Sequence, residues 1–477
     1  MSSELAAPTS PPAAICGNTS LLSGPSTPPT GAVVVSTNQR LDAVVDSHPR
    51  GTTYWLAPGV HTLRAGNYAQ VTPKDGDVFV GAPGAILDGR HDNQYAFGGH
   101  AKNVVIRYLT IQNFGVARGN NNEGVVNHDA ADGWIIEYAT VKQNAGAGVF
   151  MGNNDVIRYS CLKDNGQYGF SAYRDDGVVN LTLDHNEISG NNVDEWERTP
   201  GKPEEPTWCG CTGGGKFWAV KGAKVTNNWV HDNRSIGLWA DTNDVDFLFE
   251  GNYISGNRDA GIMYEISYNA TIRNNTFTRN GLEEGPKQTD FPLGAIYLSE
   301  AGGDARVGGP STLEIANNVF IDNWGGVVLF ENADRFCNSP ANTSSGDCTL
   351  VGGATLRTCS KGTIEKEPYK SDCRWKTQNV AVHDNSFRLT PANVPGCAAS
   401  ELCAVQGLFS NWGTYPDWSP YKADMIMNDI TFKQNNVFAR NEYVGPWKFM
   451  PYDQSGTIDF ATWQKAPYNQ DKGSTRR

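Results

Sequence analysis

Residues 228–257 read NWVHDNRSIGLWADTNDVDFLFEGNYISGN, and residues 252–280 repeat the theme as NYISGNRDAGIMYEISYNATIRNNTFTRN. In each, an Asn is followed two residues later by Val, Ile or Phe and five residues later by a second Asn: Asn228 and Asn233, Asn252 and Asn257, Asn275 and Asn280. Asn186/Asn191, Asn318/Asn323 and Asn436/Asn441 extend the series, and weaker copies end in Asn113, Asn144 and Asn165. The first asparagines lie 24 residues apart from Asn228 to Asn252 and 23 apart from Asn252 to Asn275, widening to 42 or 43 where an insertion intervenes.

A period of this length, with β-branched and aromatic triplets, Gly at corners and no leucine lattice, predicts an all-β fold. The expected form is a single right-handed parallel β-helix, one coil per repeat, with inserted loops. Side-chain amides stacked at one corner hydrogen-bond up and down the stack and satisfy turn backbone that would otherwise be buried unpaired. The asparagines are therefore read as structural. Leu41 to Val45 reads as a short helix able to cap the open end of the strands. The expected organisation is a flexible Pro/Ser/Thr-rich leader over 1–30, a β-helix over 31–445 and a C-terminal tail over 446–477.

The chain has 477 residues, 39 Lys+Arg against 51 Asp+Glu, and a formal net charge of −12. Its basic residues are scattered, which excludes the concentrated positive charge that nucleic acid requires. Mean hydropathy is −0.46 and no run of eighteen apolar residues occurs, so no membrane span is expected. Ten cysteines occur without zinc-ribbon spacing, six of them in close succession: Cys337/Cys348, Cys359/Cys373 and Cys397/Cys403. Short disulfide-closed loops in a secreted protein are expected, with a signal peptide absent from this sequence. Pairings among Cys16, Cys161, Cys209 and Cys211 stay open.

Counting eight residues forward from the second asparagine of a repeat gives Asp241, Glu265 and Glu331, and Glu300 falls close to that position in the intervening coil. An acid column on a parallel sheet is unfavourable by like-charge repulsion, so stability alone does not select it. Carboxyl groups on adjacent coils would lie about 5 Å apart, the separation of a nucleophile and an acid/base in retaining glycoside hydrolysis, and two coils give about 9.6 Å, near the inverting range. Asp241, Asn243, Asp244 and Asp246 are also oxygen ligands in the run DTNDVD, an alternative calcium site, although no cofactor is required. Trp239 sits two residues from Asp241 and so on the same face of a strand. Lys216, Trp218, Arg234, Tyr264 and Tyr268 flank the column as substrate-binding candidates, and Trp412 belongs to a loop with Tyr415, Trp418 and Tyr421 that either grips a sugar chain or seals the core.

The runs NWVHDNRSIGLWADTN, GIMYEISYNATIRNN and ENADRFCNSPANTSSGDC carry a resemblance. From Gly31 to about Tyr443 the chain is similar to the actinobacterial secreted right-handed β-helix repeat proteins of the pectin-lyase-like superfamily. The resemblance implies the fold and leaves the chemistry open, because that superfamily holds lyases, hydrolases, epimerases and adhesins. The polygalacturonase set of an NTD run, paired Asp, GHG and RIK is absent. The expected function is a secreted, monomeric glycoside hydrolase acting on a polysaccharide in a groove along the coils. A uronate lyase or epimerase, and a non-catalytic glycan-binding or adhesion module, are the alternatives.

Overall fold

A computed structural model describes residues 6–115, 125–126, 131–174, 176–199, 202–206, 212–342, 348–350, 353–411, 413–422, 424–452 and 456–477. The chain divides into two compact units, one of Ser10–Leu238 with Asn252–Ile254, the other of Met1–Thr9, Trp239–Gly251 and Ser255–Arg477.

The first unit is built from coils of short parallel strands. One sheet runs in chain order from Val33–Val35 and Thr53–Leu56 through Ile135–Glu137 to Val220–Thr226. A second joins Val149–Met151, Tyr168–Ala172 and Gly213–Trp218, and a third includes Cys161–Lys163, Glu187–Ser189 and Trp229–His231. Within these three sheets the pairings are parallel and link strands one coil apart, so each turn of chain buries its alternate apolar residues inside the coil, while Arg198–Thr199 and Lys202–Pro206 form a separate antiparallel pair. The predicted helix is present as Leu41–Asp46, with Leu41 and Val45 buried.

The second unit repeats the plan. Its sheets are Val245–Glu250, Tyr268–Arg273, Leu313–Ala316, Val380–His383 and Val437–Ala439; Ile262–Glu265, Ile296–Ser299, Val327–Glu331, Val405–Ser410 and Lys448–Tyr452; and Thr276–Thr278, Val319–Ile321, Ser386–Arg388, Glu442–Val444 and Thr475–Arg476. The helix Asp424–Phe432, which the strand-like sequence pattern did not suggest, lies between the last two coils.

The asparagine ladders form as the period predicts. In the first unit the Asn144, Asn165 and Asn191 side chains each donate to the next Oδ1, ending on Asn233, at 3.0 Å. Asn186, Asn228 and Asn252 make a second ladder with the same spacing. In the second unit Asn257, Asn280 and Asn323 form one ladder, and Asn275, Asn318, Asn385 and Asn441 form another. Two expected members sit elsewhere. Asn113 occupies a left-handed corner with φ 59° and bonds Asp88, while Asn436 donates to the Thr377 and Ile430 carbonyls. The 436/441 pair is thus out of phase by five residues, and Asn385, absent from the sequence series, fills the step.

Both ends correct the expected organisation. The segment read as a flexible leader is tied to the first unit by a Cys16–Cys161 disulfide. The Ile15 and Cys16 amides also donate to Glu187 Oε2 at 2.7 and 2.9 Å, and Trp55 Nε1 donates to the Pro25 carbonyl. The expected tail, 446–477, supplies the strands Lys448–Tyr452 and Thr475–Arg476 and the helix Phe460–Trp463, whose Trp463 is fully buried and donates to Asp471. It completes and closes the last coils. Cys337–Cys348, Cys359–Cys373 and Cys397–Cys403 pair as expected; Cys209 and Cys211 lie outside the described residues.

Candidate functional site

The acid column resolves into an edge and a pocket, both within the second unit. Thr242 N donates to the Glu265 carbonyl as Ile266 N does to that of Ser299, so Asp241 stands beside Glu265 and Glu265 beside Ser299. Ser299 in turn pairs with Phe330, and Phe330 with Phe409. The position shared with Asp241 and Glu265 is therefore taken by Ser299 and Phe330, not by Glu300 and Glu331, which lie one residue further on. The eight-residue count slips because the corner between Asn323 and the strand Val327–Glu331 is one residue shorter than the corner between Asn257 and Ile262–Glu265.

Strand alternation puts Trp239, Asp241 and Glu265 on the outward face, between Leu238, Ala240 and Tyr264, which are fully buried. Asp241 and Glu265 each retain 7% exposure, while Glu300 and Glu331 have 0% and 1%. All four are buried, and the first two are the less enclosed. Of the two acids expected within reach on a following coil, Glu300 is joined to Glu265 through Arg335, while Glu331 is held by Arg374.

Arg335 organises the edge. Its Nη1 donates to Glu265 Oε1 at 2.5 Å and to Glu300 Oε2 at 2.9 Å. Glu300 Oε1 accepts from Ser299 Oγ at 2.9 Å and from the Asn332 amide. Burial pushes the Glu300 carboxyl up to about 7 against the opposing pull of Arg335 and these donors. The Tyr297 phenol is also raised, first by burial and then by Glu300 and Glu265.

Glu331 lies in a separate buried pocket. Arg374 Nη1 donates to its Oε1, while Gln434 Nε2 (2.7 Å) and the Thr377 amide (2.9 Å) donate to its Oε2. Arg374 also reaches Gln434 Oε1 at 3.0 Å. The insert over 332–376 delivers both guanidinium groups and has its own core of Phe336, Ile364, Cys337, Cys359 and Cys373 against Tyr421 and Ile426.

The remaining candidates separate. Tyr264 points inward and its hydroxyl donates to the Tyr268 carbonyl at 3.1 Å, while the Tyr268 hydroxyl accepts from the Lys376 amide at 2.7 Å beneath the insert. Both are core residues and cannot line a substrate surface. Tyr421 and Trp418 pack on Phe336, so that loop seals the insert, although Tyr415 is half exposed. Trp412 lies outside the described residues. Lys216, Trp218 and Arg234 belong to the first unit. There the Lys216 ammonium sits 5.2 Å from the Trp218 ring centroid, and Trp218 meets exposed Tyr173 edge to face at 6.0 Å. Arg234 is exposed after the Asn233 corner.

The calcium set meets unlike surroundings: Asp241 accepts from Thr242 Oγ1, Asp244 is buried and Asp246 is exposed. Among the described residues no three His, Cys, Asp or Glu side chains converge as a metal would need. Sequence reasoning missed Arg335, Arg374, Tyr297 and Gln434. Arg335 carried one usable signal, its place four residues after the strand-ending Glu331.

The description "Right handed beta helix region" matches residues 123–309. No curated protein matches the chain in sequence. A mannuronic acid specific polysaccharide family 6 lyase from human gut microbiota superposes with a TM-score of 0.52 at 11% identity, over 94% of this chain and 90% of that one. The catalytic domain of a GH87 alpha-1,3-glucanase gives 0.49 at 12% identity, over 95% and 69%. The A-module of a mannuronan C-5 epimerase from Azotobacter vinelandii gives 0.46 at 13%, over 76% and 85%. At these identities the likeness is one of fold, and the chain is a right-handed parallel β-helix.

Proposed function

We propose that the protein is a carbohydrate-active enzyme working outside the reducing cytosol, a glycoside hydrolase that cleaves a neutral or weakly charged polysaccharide with Asp241 and Glu265. The observation that carries this reading is the edge itself: two carboxyl groups on adjacent coils, in register, are the acids of the column that keep surface exposure. A coil spacing of about 4.8 Å is close to the separation of about 5 Å used in retaining hydrolysis. Glu265, ion-paired to Arg335, is the ionised member and acts as nucleophile or base. Asp241 takes the proton-donor role.

The charge balance supports a neutral substrate. Glu265 and Glu300 share the Arg335 guanidinium, so two carboxyl groups meet one cation there, a balance that does not favour a uronate carboxylate. One observation favours a second reading, a uronate lyase or epimerase: Lys216, Trp218 and Tyr173 place a cation and a phenol together, groups which that chemistry uses.

Incubation with a panel of neutral and uronate glycans, with and without a chelator, separates these readings. New reducing ends without unsaturated-uronate absorbance are expected. Appearance of that absorbance would transfer the function to the lyase reading, and binding without any product would make the protein a glycan-binding module.

A further inference from the structure

Arg335 stands in a short segment held at both ends. On one side Glu331 is locked by Arg374, Gln434 and the Thr377 amide. On the other, Phe336 and Cys337 are fully buried in the core of the insert, and the Cys337 amide donates to the Cys373 carbonyl at 2.8 Å. Between these anchors the backbone turns, with Arg335 N bonded to the Asn332 carbonyl and Asp334 Oδ1 accepting from the Thr414 and Tyr415 amides. The guanidinium is thus carried by a disulfide-closed module to a strand edge 70 residues earlier in the chain.

We infer that Arg335 is a positioning residue for Glu265, and that the disulfide-closed insert is the device that fixes the ionisation of Glu265 by holding Arg335 between Glu265 and Glu300. This rests on the hydrolase reading for its consequence in turnover, but the ionisation itself is measurable without substrate. Among the described residues, the groups facing this centre include Arg335 from the insert, Glu265, Glu300 and Tyr297 from the strands, and Asp241 beside Glu265 in register. Arg335 is the cation bonded to both glutamates, and burial of Glu300 makes that carboxyl hold its proton to about pH 7. Below that pH the whole charge of Arg335 serves Glu265. Above it the charge is shared, and Glu265 should hold a proton more readily. Opening Cys337–Cys348, two residues from Arg335, should loosen the same contact, which makes the site sensitive to reducing agents.

The test is a carboxyl titration by infrared difference spectroscopy or carbon NMR on the full-length protein, with E265Q and E300Q assigning the signals. It is repeated on R335Q, R335K and a C337S/C348S variant, alongside pH profiles of kcat/KM on the best substrate of the panel. R335Q should raise the apparent pKa of Glu265 by one unit or more, a tenfold or larger change in its proton affinity, and move the acid limb of the profile by the same amount. R335K should restore at least half of the shift, and C337S/C348S should move in the direction of R335Q. An unchanged Glu265 titration in R335Q and R335K would overturn the inference and leave Arg335 a structural ion pair. If R335Q does not fold, R335K and C337S/C348S decide together, since an unchanged Glu265 titration in both while the fold persists would also contradict it. A shifted titration in a protein inactive on every glycan would uphold the positioning role and overturn the hydrolase reading.

Discussion

Glu265 and Glu331 stand at the same sequence distance from a corner asparagine, each ends a strand of the same sheet in the second unit, and each is met by an arginine from the same insert. Their settings nevertheless differ in kind. Glu331 is closed in on all sides: Arg374, Gln434 and the Thr377 amide take both its oxygens, and Arg374 is itself bonded to Gln434. Glu265 keeps 7% exposure beside Asp241, and its arginine is shared with a second carboxyl. A buried pair whose bonds are satisfied maintains a fold, while a carboxylate nearer the surface with a shared counterion has its charge adjusted from behind.

The contrast is broken most forcefully from the Glu331 side. Arg374→Ala leaves a carboxylate stranded in the interior, and loss of one partner of a buried pair costs about 3–5 kcal/mol. Denaturant unfolding should show that loss. Were R374A to unfold like the parent protein, the pocket would not be the structural member of the comparison.

A smaller effect sharpens it from the Glu300 side. Because burial raises Glu300 from 4.5 to about 7, the folded state binds its proton more tightly than the unfolded chain does. The stability this provides is full below about pH 4.5 and is lost as pH rises through 7. The shift corresponds to up to about 3–4 kcal/mol at about 1.4 kcal/mol per unit. Glu300→Gln, which cannot ionise, should therefore gain stability relative to the parent between pH 5 and pH 8, as melting temperatures at the two pH values will show. A constant difference between the two proteins across that range would mean that Glu300 is not the group that titrates.

The ladders were legible in the sequence because a stacked amide at a corner repeats with the coil and leaves a period behind. The legibility ended where an insertion changed the phase. The helix Asp424–Phe432 precedes Asn436, and it is Asn441 that continues from Asn385, so a count based on the Asn-Asn pair chose the wrong member. The same weakness affected the acid column. Glu331 follows Asn323 by eight residues, as Glu265 follows Asn257, yet Phe330 holds the equivalent register. Counting fixes a residue to a coil but does not tell which face it occupies, and a slip of one residue turns a side chain to the other face. Arg335 was out of reach for a different reason. It approaches Glu265 through the tertiary path of an insert, and no local periodicity records such a contact. The ends were misjudged because Pro- and Ser-rich composition says nothing of a disulfide such as Cys16–Cys161 that ties the segment down.

The central claim is that Asp241 and Glu265 form the working edge and Glu331 does not. It is tested most directly by measuring turnover of the best panel substrate by D241N, E265Q and E331Q, each checked for folding by circular dichroism and melting temperature. The account predicts that D241N and E265Q lose at least about a thousandfold in kcat, about 4 kcal/mol of transition-state stabilisation, while keeping the parent melting temperature. It predicts that E331Q keeps kcat within a few fold and melts lower. Parent-like turnover in D241N and E265Q, or loss of turnover confined to E331Q without loss of stability, would contradict it.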